Sequence, residues 1–386
     1  MKIVGLITEY NPFHAGHLYH MQRARELTGA DYCVVLMSGS FVQRGEPAIF
    51  DKYRRTKAAL LAGADLVLEM PVAFSTASAH EFAAYGVALL SAIGVDAVVF
   101  GSECGQIEFL KQAASALNHE SAEFQERLRK GLKAGLTYPQ ARAKALEMED
   151  TWASVLTSPN NILGIEYLRA AEDLHSPMEF YTISRKGSGY HEDTLADANF
   201  PSASAIRGII RNSLSKDKDL LDILASHLPA VTHPAYTGAV PVFVDDFSEL
   251  LNAAVLQMQA TFSIADLSPE LAARLAKPPY FPLSFEERIQ ALKTRQLTYT
   301  RVSRALLHLV LGMREEDISR WKDEGYALYA RILGFRRQSS PLLSCLHKKS
   351  SIPLITKMAD AAQNLSPSAL ALLEQEVYAS HLYQTV

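Results

Sequence analysis

Residues 1–20, MKIVGLITEYNPFHAGHLYH, decide how the rest of the chain is read. Lys2 to Thr8 is a strand-length apolar run rich in Ile and Val, the composition of a buried parallel strand. Asn11-Pro12 breaks the run, and an amphipathic helix follows His17 through Leu27 to a stop at Gly29. This order sets the free N–H groups of a helix start beside a strand's carboxyl end, where an anion such as phosphate is favoured. Gly16 would let a ligand approach the backbone without meeting a Cβ. His14 and His17 lie three residues apart on the first turn and can face one anion. Their N–H groups could bond phosphate oxygens whose charge changes during a displacement. Histidines at this spacing also describe surface or metal-binding residues. Their place directly after a first strand favours the phosphate.

Outward from that stretch, strands and helices alternate. Tyr32–Met37, Leu66–Pro71, Ala97–Ser102 and Met178–Ile183 read as further strands. Ser38–Pro47 reads as a loop, and helices follow at Asp51 to Gly63 and at Ser78 to Ile93. The alternation predicts an α/β class with a Rossmann-like parallel sheet, whose ligand sits beyond the carboxyl ends of the strands. His14, Ser38-Gly39, Pro71 and Gly101 should therefore converge on one crevice. Gly101 is expected under an adenine or ribose, or is an ordinary turn glycine. Residues 106–150 read as an inserted pair of helices without chemistry. In Ser158–Tyr167, Asn160 or Asn161 either caps a helix or offers its amide to a nucleotide. Arg185 and Lys186, beside Gly187 and Gly189, suit a phosphate-binding loop or a solvated basic turn. Ser202, Ser204 and Arg207 mark the start of another helix.

The 386 residues are 48% hydrophobic and 21% charged, an ordinary globular balance long enough for two or three domains. Cys33, Cys104 and Cys345 are far apart, which argues against a disulfide framework or zinc site and fits a reducing cytosol. The first apolar run is too short for a signal peptide or membrane span. A boundary near residues 213–240 divides an α/β domain, 1–235, from a mainly α-helical domain, 236–386. Net charge is −4, yet Glu286 to Lys349 holds 13 Lys plus Arg against 7 Asp plus Glu, a net of +6 that leaves −10 elsewhere. Lys293, Arg295, Arg301 and Arg304 form its densest part. Arg331, Arg336 and Arg337 with Phe335, and then Lys348-Lys349, form two more groups. Basic residues with nearby aromatics suit an RNA surface; a solvated helical face is the alternative.

The HxGH string after the first strand resembles the signature of the nucleotidyltransferase superfamily, which activates substrates by attack on the α-phosphate of ATP. Ser202-Ala203-Ser204-Ala205-Ile206-Arg207 resembles the superfamily's second signature, with Ala203 where a hydroxyl is often found. The longer strings GLITEYNPFHAGHLYH, GSFVQRGEPAIFDKYRRTKAAL, ADLVLEMPV, FGSE, SPNNILGIEYL and KTRQLTYTRVSR resemble the bacterial tRNA(Met) cytidine acetate ligase family over most of the chain. That resemblance implies a HUP-type domain followed by a helical one. It also implies a cytoplasmic enzyme that uses ATP, free acetate and Mg2+ to acetylate N4 of the wobble cytidine of elongator tRNA(Met), with no membrane or DNA partner.

Carried over residue by residue, the ATP segment is Ile7, Thr8, Glu9, Tyr10, Asn11, Pro12, Phe13, His14, Ala15, Gly16, His17, Leu18, Tyr19 and His20. Gly101, Asn161 (or its neighbour Asn160) and Arg185 are further nucleotide contacts. Arg185, Lys186 and Arg207 would hold the outer phosphates, with Ser204 a further ATP contact, while His14 and His17 act at the α-phosphate. Lys293, Arg295, Arg301, Arg304, Arg336 and Arg337 are the expected tRNA contacts. Glu9, Asp51, Glu69 and Glu103 are unranked candidates for taking the amine proton. Two rivals remain: a small-molecule nucleotidyltransferase, and a non-catalytic ATP-gated RNA-binding or ribosome-assembly factor.

Overall fold

The computed structural model describes residues 1–136, 138–145, 156–185, 202–214, 220–258, 263–277 and 281–386. Lys186 and the glycines after it lie outside the described residues. Seven strands form one sheet: β1 (Ile3–Thr8), β2 (Tyr32–Ser38), β3 (Leu66–Met70), β4 (Ala97–Ser102), β5 (Glu179–Ser184), β6 (Ala330–Phe335) and β7 (Leu354–Ile355). Their order across the sheet is β5-β4-β1-β2-β3-β6-β7. The first five are parallel, as the alternation predicts; β6 runs antiparallel to β3, pairing Leu66 with Phe335 and Glu69 with Arg331.

Period-two side-chain alternation splits the core. Val4, Leu6, Cys33, Val35 and Val67 meet α1 (Ala15–Thr28) and α2 (Lys52–Leu61) on one face. Ile3, Val34, Leu36, Leu68 and Val98 meet α3 (Ala79–Ala92) and α4 (Pro159–Asp173) on the other. Both faces are thus covered, which is why these strands read as unbroken apolar runs. The winding reverses between β1 and β4, and the crevice beyond their carboxyl ends is where such sheets bind ligands. The described residues of the insertion after β4 contain three helices, Ile107–Asn118, Ala122–Lys133 and Tyr138–Ala145, where a pair was expected.

Beyond residue 202 the chain continues as α5 (Ala203–Leu214), α6 (Phe285–Leu292), α7 (Tyr299–Leu311) and α8 (Pro367–Tyr383), with further helices between them. It is mainly helical, as expected, but it also supplies β6 and β7 to the sheet. A buried ion cluster fastens α8. Lys52 Nζ lies 2.5 Å from Glu69 Oε1 and 3.0 Å from Glu376 Oε1, and Arg331 Nη1 lies 2.7 Å from Glu69 Oε2. The N–H of Val72 donates to Glu376 Oε2 at 2.7 Å. Despite burial, Lys52 and Arg331 hold the Glu69 carboxyl down, whereas burial and then Glu69 push Glu376 up. Two cations against two carboxylates leave this interior near neutrality, the condition under which buried charges are tolerated. Arg331, expected on a basic surface, is spent here. Among the described residues no helix is long and apolar enough to cross a membrane.

Candidate active site

His14 is the N-cap of α1, and the two histidines cap the helix reciprocally. The Gly16 N–H donates to His14 Nδ1 at 3.0 Å, and the His14 N–H donates to His17 Nδ1 at 3.2 Å. Imidazoles here do what Ser and Glu do in the usual capping box. A backbone N–H can only donate, so each Nδ1 must be an unprotonated acceptor. A neutral ring then carries its proton on Nε2. Burial keeps the rings neutral: it lowers His14 to about 4, with Arg185 adding to the effect, and lowers His17 well below its ordinary value, with His14, His20 and Arg185 adding. The rings stack with centroids 3.7 Å apart. His20 differs, because its Nε2 faces the Val99 carbonyl oxygen at 3.1 Å and must donate to it. His14 and His17 therefore each carry an Nε2–H donor on the first turn of α1, which follows the carboxyl end of β1.

Gly16 also makes room for the His14 ring. A Cβ there would stand 2.8 Å from His14 Cε1 and 3.0 Å from its Nδ1.

The loop between β1 and α1 is tied from several directions. Tyr10 adopts φ +48°, a costly conformation for a non-glycine residue. The fully buried Arg55 donates to the carbonyls of Glu9 (2.7 Å), Ser38 (3.0 Å), Phe50 (2.9 Å) and Gly39. Asn11 Oδ1 accepts from the Ile49 N–H at 2.7 Å, and the Tyr236 hydroxyl oxygen accepts from the Phe13 N–H at 3.3 Å. Arg207, on the first turn of α5, donates to the Asn11 carbonyl at 2.9 Å, to Glu46 Oε1 at 3.1 Å and to Ser204 Oγ at 3.3 Å. Ile206 and Ile210 bury the other side of α5 against the sheet. Arg207 of the second signature thus bonds the loop that leads into the HxGH turn, about 190 residues away in sequence. Asn11 Nδ2, Ser38 Oγ and Gln43 Nε2 are buried without a partner among the described residues, open valences at the strand ends.

Across the crevice, the stem of Arg185 lies over Gly101, its Cγ 3.3 Å from where a Cβ would be. Gly101 thus faces the stem of Arg185, another of the expected nucleotide contacts. Neither asparagine caps α4 as the sequence suggested. Ser158 holds the cap position with Pro159 following, and the Glu103 carboxylate accepts the N–H groups of Asn160 (3.2 Å) and Asn161 (2.8 Å). A carboxylate suits the positive end of a helix. Asn161 is 1% exposed and its Oδ1 accepts from the N–H groups of Glu103 and Cys104, at 2.9 and 3.2 Å. Asn160 is the one that meets Arg185, its Oδ1 3.2 Å from Nη1.

The expected tRNA contacts separate into two places. Lys293, Arg295 and Arg301 are exposed on α7 and the segment before it, while Arg304 turns to Asp266 at 3.0 Å. Arg336 donates its N–H to the Asp65 carbonyl at 2.9 Å, at the amino end of β3, so Arg336 and Arg337 lie at the end of the sheet away from the crevice. Sequence reasoning missed Arg55, Glu46 and Tyr236. Arg55 had no readable signal, since its partners are backbone carbonyls.

The chain matches the HIGH Nucleotidyl Transferase family over residues 1–386. It is 39% identical to the tRNA(Met) cytidine acetate ligase of Acetivibrio thermocellus, over 99% of this chain and 94% of that one. Against the protein of the same name from Clostridium novyi it is 39% identical over 93% and 90%. Among solved structures it superposes on Thermotoga maritima TmcAL bound with alpha-thio ATP, with a TM-score of 0.87, 32% identity and coverage of 99% and 94%. The apo form of that protein gives a TM-score of 0.89 at 33% identity. With the HxGH turn at the switch point and likeness along its whole length, the chain belongs to the tRNA(Met) cytidine acetate ligase family of HIGH nucleotidyl transferases.

Proposed function

We propose that this chain binds ATP in the β1–β4 crevice, activates acetate as acetyl-adenylate, and transfers the acetyl group to N4 of the wobble cytidine of elongator tRNA(Met). One observation carries the reading beside the family likeness. Two neutral imidazoles, fixed by backbone donors through Nδ1, carry Nε2–H groups on the first turn of α1. An acetate oxygen attacks the α-phosphorus and pyrophosphate leaves. The Nε2–H donors take up the charge that builds on the α-phosphate oxygens, each worth about 3 kcal/mol by the measure of one oxyanion-hole donor. Arg185, Lys186, Ser204 and Arg207 receive the outer phosphates, for which Arg207 must exchange Glu46 for the nucleotide. The cytidine amine then attacks the acetyl carbonyl carbon, AMP departs, and the amine loses a proton.

Mg2+ accompanies the triphosphate as a charge neutraliser. Among the described residues no three His, Cys, Asp or Glu side chains are gathered to hold a metal. The ion's oxygens would come from the nucleotide and water, as is usual for Mg2+. The β1-to-α5 part forms the catalytic unit, and the helical remainder grips the tRNA in the cytoplasm. Glu69 and Glu103 are committed to Lys52 and Arg331 and to the start of α4, and Asp51 caps α2, which leaves Glu9 the least engaged of the acids considered for the amine proton.

The test is to incubate the protein with ATP, labelled acetate and a tRNA pool. Label on the wobble cytidine of elongator tRNA(Met), with AMP and pyrophosphate released in step, is expected. Pyrophosphate exchange that responds to a phosphometabolite and not to acetate would transfer the assignment to the small-molecule rival.

A further inference from the structure

We propose that Arg44 is a contact for an RNA phosphodiester beside the reacting nucleotide, held at the seam between the HxGH site and α7 by a hairpin bonded on both sides. The inference rests on the tRNA reading above. Phe41–Val42 pairs antiparallel with Glu46–Pro47, and the Gly45 N–H closes the turn on the Val42 carbonyl at 2.9 Å. On one side the Gln43 N–H donates to Glu9 Oε1 at 2.8 Å, and Glu46 holds Arg207, so the hairpin is bonded to both nucleotide signatures. On the other side Ser303 Oγ, on α7, donates to the Gly45 carbonyl at 2.7 Å. Gly45 has φ +76°, and a Cβ there would stand 2.4 Å from the Arg304 backbone nitrogen. Helix and hairpin touch backbone to backbone.

Phe41, Val42, Gly45 and Pro47 are buried in this joint, and Arg44 alone at the tip is exposed. Its guanidinium has no hydrogen bond or ion pair among the described residues. It stands close enough to Glu9 to draw that carboxyl down, against the burial that raises it. The neighbouring arginines are spoken for: Arg207 by Glu46 and Arg304 by Asp266. Arg301, one turn before Arg304, is exposed and likewise unpaired among the described residues. At the root of the turn, Gln43 Nε2 is a buried donor with no partner. A turn bonded on both sides therefore presents a guanidinium with no hydrogen bond or ion pair among the described residues and only the nearby Glu9 carboxyl to offset its charge, with a second exposed one along the same seam. Guanidinium matches phosphate in a bidentate fork. Exposure on the rim suits a chain of phosphates laid across the opening better than a small anion enclosed within it.

The experiment uses the full chain with Arg44→Ala and Arg44→Lys. It measures acetate-dependent ATP–pyrophosphate exchange, tRNA affinity across a salt series, and acetyl transfer. For Arg44→Ala the expected result is unchanged exchange, affinity for tRNA lower by about tenfold at low salt, and a salt slope reduced by about one. Transfer should show a raised KM for tRNA, and Arg44→Lys should recover part of the affinity. Loss of exchange, or a raised KM for acetate, would overturn the proposal in favour of a role in adenylation. Unchanged affinity and salt slope would overturn it in favour of a solvated side chain. A wild-type protein without acetate-dependent exchange would instead reject the ligase reading, and the tRNA comparison would still decide Arg44.

Discussion

Gly16→Ala separates stability from chemistry at the first turn of α1. The new methyl would meet His14 Cε1 at 2.8 Å, well inside van der Waals contact. The helix backbone is fixed, so the His14 ring must rotate away, and the Gly16 N–H···Nδ1 bond at 3.0 Å breaks with it. Losing a cap of this kind costs about 1 kcal/mol. Alanine in place of glycine within a helix returns about 0.5–1 kcal/mol. The two nearly cancel, so the urea midpoint should stay within about 1 kcal/mol of wild type. The chemical step does not share the cancellation. It loses the oriented Nε2–H of His14, and one such donor is worth roughly 10²–10³ in rate. The assay is acetate-dependent ATP–pyrophosphate exchange at saturating ATP, beside chemical denaturation of the same sample. A variant that exchanges at the wild-type rate would refute the assignment of His14 as a donor. A variant that has merely unfolded would show it in the denaturation curve.

The buried histidines also set a pH dependence. His14 and His20 are lowered to about 4 by burial, so between about 4 and 6.5 the unfolded chain binds protons that the folded chain does not. Stability therefore rises with pH across that window and is lost on acidification, by up to about 3 kcal/mol per ring. Glu376, raised by burial, acts in the opposite sense, so the measurement is the difference between wild type and His20→Gln, whose slope of urea midpoint against pH should be shallower. Lys52→Met leaves Glu69 and Glu376 facing one another in the interior, and should destabilise by about 3–5 kcal/mol in equilibrium denaturation. Arg301→Ala should weaken tRNA binding and lower the salt slope by about one while acetyl-adenylate still forms; equal affinity at moderate salt would count against α7 as the RNA face.

The sequence reading reached as far as local pattern carries. Unbroken runs such as Tyr32–Met37 announced buried strands, and the break at Asn11-Pro12 placed the two histidines on a helix start. What it could not reach depends on partners far along the chain. Arg331 reads as one more member of a basic stretch until Glu69, 262 residues away, is seen beside it. Lys52 reads as a solvated helix start and is 2% exposed. The segment at residues 330–335 has an apolar core, Ile332-Leu333, too short to distinguish from a helix fragment in a helical neighbourhood. The different partners of Asn160 and Asn161 likewise needed coordinates, since adjacent residues on a helix face differ by roughly a quarter turn. Gly16 was legible as a close-approach position, but its nearness to the His14 ring was not.

The antiparallel partner of β3 comes from residues 330–335. During synthesis the first five strands leave the ribosome long before their last neighbour exists. β3 must wait with its outer hydrogen-bonding edge bare for the span of more than 250 residues between Met70 and Ala330. That interval is a hazard for pairing between nascent copies, and it makes the last quarter of the polypeptide a guardian of the first. A message truncated before Ala330 would yield a chain with every signature residue present and one sticky flank, whose fate is to associate rather than to work.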